Sequence, residues 1–491
     1  MARHWRRPRR FDTNLLVIGA GSGGLVAAYI AATLKARVTL VEADTMGGDC
    51  LNSGCVPSKA LIHAARVART IRGADRFGVS ASEPIIDFPR VMARVHEAIR
   101  SIAPHDSVER YSELGVDVVA GHARLVSPWE VAITTRDGSH SRISARAIVL
   151  ATGAEPAVPP LPGLETVEAL TSENLWQLER LPKRLLVLGG GPIGCELGQA
   201  FANLGSAVTL VGGEPRLLPR EDADAGERLR SRLEREGVDL RLGHHGEAVR
   251  ATTDGGVLTT RDSDGARHEL PFDRILLAVG RRPRLHGYGL EALGLVTDTS
   301  RDLPVNGLMR TAVPSIYACG DLVGPYQFTH AAAHQAWHAT INALFAPFAR
   351  FRVNHDQLPW ATFTDPEIAR VGLNEQEARE RGIRHEVTRY ELDDLDRALI
   401  EDDTAGFVKV LTPPGRDRIL GATLVGPRAG DLVAEFVLAM QHGLGLKALL
   451  KTIHPYPTLV EANRHVAGRW QRDHAPARVL RWLAHWHRWR R

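Results

Sequence analysis

Cysteine is scarce in this chain: four in 491 residues, at Cys50, Cys55, Cys195 and Cys319. So few thiols supply no disulfide framework, and they fit a reducing, intracellular setting in which the fold rests on a packed core. Long apolar runs are also lacking, and none approaches the roughly 20 residues that a transmembrane helix needs. The N-terminal arginines Arg3, Arg6, Arg7, Arg9 and Arg10 lead into a strand and a Gly-rich turn without the apolar stretch of a signal peptide. A solvated arm and a cytoplasmic location are expected, with membrane-peripheral attachment the alternative raised by the far end of the chain. No base-stacking module accompanies the basic ends, so nucleic acid is not an expected partner. Net charge is only +4, but residues 1–10 carry five arginines without an acid, and residues 464–491 carry eight against Asp473. The body between them is therefore net acidic.

What remains is ordinary for a globular enzyme of about three domains at roughly 150 residues each: 44% hydrophobic and 24% charged residues. Against that background one segment stands out, Gly47-Gly48-Asp49-Cys50-Leu51-Asn52-Ser53-Gly54-Cys55-Val56-Pro57-Ser58-Lys59. Two thiols five residues apart on a Gly- and Pro-bounded turn into a helix close a small ring, which serves as a reversible two-electron store rather than a staple. Electron transfer through a dithiol is the chemistry this implies.

Leu15 to Gly21 is an apolar run ending in glycine, followed by Ser22-Gly23-Gly24, an Ala-rich stretch, and Val38-Thr39-Leu40-Val41-Glu42. This reads as strand, turn, helix and strand: Gly19 for the tight turn, Gly21 for close approach to a pyrophosphate, Gly24 for helix packing, Glu42 for a ribose hydroxyl. The pattern recurs at Leu185 to Gly194, with Gly189, Gly191 and Gly194, then Ala207 to Val211. Two such units imply two dinucleotides. The second strand ends at Gly212 and Gly213 without a carboxylate, and Arg216 and Arg220 lie near, so NADPH and NADH both stay open with a lean to NADPH.

The motif order resembles that of the flavin-dependent pyridine nucleotide-disulfide oxidoreductases, which include dihydrolipoamide dehydrogenase, glutathione reductase and mercuric reductase. Ala151-Thr152-Gly153, Gly280-Arg281-Arg282-Pro283, Tyr317-Ala318-Cys319-Gly320-Asp321 and Phe363-Thr364-Asp365-Pro366-Glu367 carry it along with the Gly-rich turns and the dithiol, over residues 14–463. The resemblance implies an α/β architecture of two Rossmann-like domains, the second inserted in the first, plus a C-terminal α+β dimerisation domain. Expected boundaries are 11–155 with 285–350 for FAD, 156–284 for NAD(P), 351–465 for dimerisation, and 466–491 for a basic, Trp-rich tail. It also implies FAD held by Gly19, Gly21, Gly24, Glu42, Thr152, Gly153 and Asp321, with His330 near the flavin, and a nicotinamide nucleotide held by Gly189, Gly191, Gly194 and Gly280. Lys59 would sit beside the flavin, paired with Glu196. Cys55 would exchange electrons with the flavin, leaving Cys50 as the outward thiol. Cys195 and Cys319 are read as small buried packing residues.

The pattern breaks near the C-terminus. Disulfide reductases of this family carry His-Pro-Thr-x-x-Glu, a histidine acid/base with its orienting glutamate; this chain reads Tyr456-Pro457-Thr458-Leu459-Val460-Glu461, with His454 two residues before the tyrosine. A phenol of pKa about 10 is a poor proton shuttle at neutral pH where an imidazole of about 6.5 serves well. Tyrosine here is similar to mercuric reductase, yet no cysteine follows Cys319 to deliver a metal ion, and no N-terminal metal-binding module is found. The resulting expectation is an FAD-dependent homodimer passing electrons from NAD(P)H to the dithiol and on to a small-molecule or metal-ion acceptor, mercuric reductase-like, with Tyr456 of one subunit near Cys50 of the other. A dihydrolipoamide dehydrogenase-like or other disulfide reductase is one alternative, a membrane-recruited flavin redox sensor another. In the tail, Val479, Trp482, Leu483 and Trp486 recur at helical spacing beside Arg478, Arg481 and Arg488, fitting a helix packed on the dimer or lying on an anionic membrane.

Overall fold

Apolar runs with β-branched residues become buried parallel strands, and the glycines at their ends turn the chain into helices. The computed structural model describes residues 5–297, 299–348 and 350–491. Contacts divide the chain into two compact units: residues through Gly213 together with Asp239–Asn354, and Glu214–Val238 together with His355–Arg491.

The first unit holds two parallel sheets. In one, Thr13–Ile18 pairs in parallel with Val38–Glu42 and with His140–Leu150, and Ile316–Ala318 extends the edge beside His140–Leu150. Leu15, Leu16 and Val17 are fully buried at its centre, as a strand covered on both faces requires. The chain leaves this sheet after Leu150 and returns at Ile316, and between them lies the second parallel sheet, ordered Asp239–Leu242, Ala207–Gly212, Arg184–Leu188, Arg274–Leu277, Ala169–Leu170. This is the insertion of one Rossmann-like layer in another. A three-stranded antiparallel sheet, His245–Thr252, Gly255–Arg261 and Arg267–Phe272, makes the connection from Asp239–Leu242 to Arg274–Leu277.

The second unit is α+β. Its antiparallel sheet runs Pro359–Thr362, Glu367–Gly372, Gly421–Gly426, Phe407–Thr412, Glu386–Glu391. Phe436 and Trp470 from the helices Ala429–Gln441 and Glu461–Asp473 are buried in its core. Two cations are buried here and each is matched by acids: Lys409 Nζ meets Asp222 and Asp224 at 2.8 Å and Glu375 at 2.9 Å, and Arg370 meets Glu377 at 2.8 Å and Glu221 at 3.3 Å. Buried charge demands such partners.

Candidate functional site

The dithiol spans two helices. Cys50 lies in Gly48–Asn52, and Cys55 is the first residue of Cys55–Arg72. Asn52 fixes the first turn by donating from Nδ2 to the carbonyls of Met46 at 3.0 Å and Gly48 at 2.9 Å. The Trp176 indole donates to the Ser53 carbonyl at 2.9 Å and the Ser172 carbonyl at 2.7 Å, anchoring the linker between the cysteines. Both cysteines are free thiols and hydrogen bond to each other.

That bond divides the pair. Accepting it lowers Cys55 to about 6; burial works against this, while the Thr329 hydroxyl, 3.3 Å from Sγ, and the Lys59 charge assist. Giving it, together with burial, pushes the Cys50 thiol far up. Placement at the start of a helix also favours an anion at Cys55. At neutral pH the reduced pair therefore holds one thiolate, on Cys55, and one proton, on Cys50. Alkylation of Cys55 in the reduced protein is expected to rise through a midpoint near about 6, and Cys50→Ala to move that midpoint up by about one unit. A midpoint unmoved by the substitution would remove the hydrogen bond as its cause.

One turn beyond Cys55, Lys59 Nζ pairs with Glu196 Oε2 at 2.9 Å. Glu196 is buried on Pro192–Leu204, the helix that opens at the second Gly-rich turn, so the ion pair joins the dithiol helix to the second nucleotide-binding layer. A carboxylate at 7% exposure is matched here by an ammonium in contact with it.

The first Gly-rich turn is a cradle of backbone. A Cβ on Gly24 would lie 1.7 Å from the Gly19 carbonyl oxygen, and one on Gly48 would lie 2.6 Å from the Gly21 Cα, so both close approaches require glycine. Glu42 presents its carboxylate at this turn, accepting from the amides of Ala20 at 2.5 Å and Asp44 at 2.8 Å. Gly153 stands at the end of the adjoining strand, and Thr152 donates to the Arg284 carbonyl at 2.9 Å. Arg281 links Asp49 to Asp321, meeting Asp321 at 3.5 Å, and burial raises Asp321 to about 6 despite that guanidinium. A backbone cradle at a helix N-terminus, an oriented carboxylate and a half-buried Asp321 with its guanidinium form a donor and acceptor set that fits FAD. His330 is exposed and stacks on Phe328, ring centroids 5.5 Å apart.

The second Gly-rich turn repeats the first: a Cβ on Gly194 would lie 1.9 Å from the Gly189 carbonyl, and nothing comes within 4 Å of one on Gly191 or on Gly280. Arg216, expected near a 2′-phosphate, instead spends its donors on the carbonyls of Glu221 at 3.0 Å and Pro219 at 2.8 Å and on Gln376. The lean to NADPH loses one of its two arginines. Cys195 and Cys319 are fully buried, Cys319 packing where a Cβ on Gly23 would come within 3.0 Å of its sulfur, and burial raises both thiols.

In the second unit, Tyr456 is 70% exposed and its hydroxyl donates to Asp396 Oδ2 at 2.9 Å, which raises its pKa. Glu461 is buried and accepts from the Thr458 amide at 3.1 Å. His454 pairs through Nε2 with Glu435 at 2.9 Å, its side chain only 5% exposed and its Nδ1 buried without a hydrogen-bond partner. Asn463 donates to the other oxygen of Glu435 at 2.9 Å, so this imidazole belongs to an internal network.

The basic tail divides at Asp473. Val466, Ala467 and Trp470 before it are buried, whereas Ala477–Trp489 is a helix with no buried residue. On it Trp482 stacks on Trp486, centroids 5.8 Å apart, and Trp489 meets Trp486 at a tilt, centroids 5.5 Å apart. Among the described residues no helix is long and apolar enough to cross a membrane.

Sequence reasoning passed over three residues that the fold brings to the dithiol or its neighbourhood: Thr329, Asp49 and Arg281. Each sits inside a motif already singled out, beside His330, Cys50 and Gly280 respectively.

Family models for the pyridine nucleotide-disulphide oxidoreductases match residues 13–336, and for the dimerisation domain of the same family residues 358–467. The chain is 37% identical to a dihydrolipoyl dehydrogenase of Thermus scotoductus, covering 91% of this chain and 95% of that one. It is 34% identical to a mercuric reductase of Streptomyces lividans, covering 94% and 96%. Among solved structures, the Cu(II) complex of the HOCl-induced flavoprotein disulfide reductase RclA from Escherichia coli superposes with a TM-score of 0.81 at 27% identity, covering 93% of this chain and 99% of that one.

Proposed function

Because the chain belongs to the pyridine nucleotide-disulphide oxidoreductase family, whose members use FAD and NAD(P)H, we propose that this flavin disulfide oxidoreductase delivers its electrons to a thiophilic metal ion. FAD supplies the two-electron link between a nicotinamide nucleotide and the Cys50–Cys55 disulfide. Gly19, Gly21, Gly24, Glu42, Thr152, Gly153 and Asp321 would hold it, with His330 nearby; Gly189, Gly191, Gly194 and Gly280 would hold the nicotinamide nucleotide. Lys59, kept in place by Glu196, would balance negative charge on the electron-rich side.

The observation that carries the metal-ion reading is the state of the two residues at the family's acid–base position, neither of which is placed as a base for the outward thiol. Tyr456 holds its own proton toward Asp396, and His454 is committed to Glu435. A disulfide substrate must be attacked by a thiolate, so Cys50 would first have to lose its proton to a base. A soft dication needs no such base, because coordination itself deprotonates the thiol and sends the proton to solvent. Two electrons then pass from the two sulfurs to one mercuric or two cupric ions as the disulfide re-forms. A mercuric reductase relative and the RclA copper complex support this choice, and the dihydrolipoyl dehydrogenase relative supports the disulfide alternative.

The dimerisation domain supports a homodimer, in which Tyr456 and Glu461 of one protomer would stand near the other's dithiol. An anaerobic acceptor screen tests the reading, with NADPH and NADH each offered against mercuric ion, cupric ion, lipoamide, glutathione disulfide, quinones and oxygen. Turnover of a metal ion at least about tenfold above the disulfides supports it; efficient lipoamide or glutathione disulfide reduction overturns it.

The tail helix belongs to the same proposal as a membrane anchor. From His474 onward the chain has five arginines and no acid, and Trp482 and Trp489 are 61% and 77% exposed. Tryptophans flanked by arginines on a helix with no buried face suit an anionic phospholipid surface. Full-length protein is expected to float with anionic vesicles and a chain ending at Asp473 to stay behind, since that truncation keeps the buried Trp470. Equal flotation of the two would remove the anchor.

A further inference from the structure

Among the described residues, one group outside the dithiol region has the make-up of a metal centre: His244, Asp262 and His268, each offering one ligand atom, all within 4.8 Å of one another. They converge from three places on the antiparallel sheet. His244 precedes His245–Thr252, Asp262 follows Gly255–Arg261, and His268 lies in Arg267–Phe272.

Two of the three side chains are aimed by groups outside the cluster. Asp262 Oδ1 accepts from the amides of Asp264 at 3.0 Å and Ala266 at 2.8 Å, leaving Oδ2 to meet His268 Nε2 at 2.7 Å. His244 Nδ1 is engaged with the Thr260 hydroxyl at 3.1 Å, and the two imidazole rings stand 5.0 Å apart. Such outer partners fix the tautomer and direction of a ligating histidine.

We propose that His244, Asp262 and His268 bind a borderline transition-metal dication, Zn²⁺ or Cu²⁺, as three protein ligands with one position open. Two imidazoles and a carboxylate are the donor set such ions prefer. A tetrahedral centre places its ligand atoms about 3.3 Å apart, so closure asks for side-chain shifts rather than a new backbone. Coordination replaces the His268 to Asp262 hydrogen bond, His268 taking its Nδ1–H tautomer. The ion would cross-link both hairpins of the sheet. It would also tie them to the strand Ala207–Gly212, because the His244 amide donates to the Gly212 carbonyl at 3.0 Å. This site is separate in residues and chemistry from the dithiol, and it stands whether or not a metal ion is the electron acceptor.

The test uses oxidised holoenzyme, in which Cys50 and Cys55 are joined and offer no thiolate, titrated calorimetrically with Zn²⁺. One ion per chain is expected, with His244→Gln and His268→Gln each weakening the dissociation constant by about tenfold or more. Isotherms identical to wild type in both variants, or no binding by wild type, would overturn the proposal. Wild-type crystals soaked in zinc give a second reading that needs no variant: an anomalous peak among the three side chains supports the site, and its absence counts against it.

Discussion

Cys55→Ser is expected to cut electron delivery to every acceptor by about three orders of magnitude or more, the scale of losing a reacting nucleophile. The residue opens the helix Cys55–Arg72, accepts the Cys50 hydrogen bond and stands 3.3 Å from Thr329, so its sulfur is the one held as an anion near about 6. A serine hydroxyl neither ionises there nor joins a disulfide. Thiol counting gives the mechanistic readout. Anaerobic NADPH should expose two new thiols in wild type, while Cys55→Ser should show its single Cys50 thiol with or without NADPH. Cys195 and Cys319 do not blur the count, being fully buried with their thiols raised by burial. Retention of full acceptor activity in Cys55→Ser would mean that electrons bypass the dithiol.

Cys50→Ser separates the two sulfurs. It should also lose acceptor reduction, yet keep an anionic sulfur at Cys55, because a serine hydroxyl can replace the thiol as hydrogen-bond donor. The asymmetry follows from position in the fold, since Cys50 and Cys55 are chemically the same residue. One gives the shared hydrogen bond and the other receives it.

How much of this was legible in the sequence depends on the distance over which each feature is built. The Gly-rich turns are local. The contacts that would meet a Cβ on Gly24 or on Gly194 come from Gly19 and Gly189, five residues earlier in each case, so spacing alone carries the geometry. The dithiol is local too, although its polarity is not. Thr329 lies 274 residues from Cys55, and no periodicity points from one to the other. Arg281 reaches Asp49 across 232 residues for the same reason.

Charge placed by tertiary packing was the least readable. Arg216 sits where a phosphate-binding arginine would be sought, but Gln376, 160 residues away, takes one of its donors. Asp222 and Asp224 give no hint in sequence that they neutralise Lys409, almost two hundred residues on, although Glu214–Val238 belongs to the same compact unit as the C-terminal part of the chain. The tail likewise read as one basic stretch, and only burial divides it between Trp470, which belongs to the core, and Trp482 to Trp489, which do not.

Tyr456→His is expected to raise lipoamide or glutathione disulfide turnover by about a hundredfold, within the range that a positioned general acid–base supplies. The substituted position lacks only the right proton affinity. Glu461, the orienting acid of the family pattern, is present, and its Oε2 is already fixed by the Thr458 amide. An imidazole there could accept a proton from the Cys50 thiol as it attacks and return it to the leaving sulfur of a substrate. The tyrosine does neither, since its phenol starts near 10 and its bond to Asp396 raises it further. Metal-ion reduction by the same variant should change by no more than about threefold, because coordination removes the Cys50 proton without a base. The gained activity should appear as pH rises through about 6.5, where an imidazole becomes a free base. Tyr456→Phe controls for loss of the Asp396 bond and should leave both activities near wild type. If Tyr456→His gains nothing while wild type already reduces disulfides well, the tyrosine is not what sets the acceptor, and the metal-ion reading falls with it.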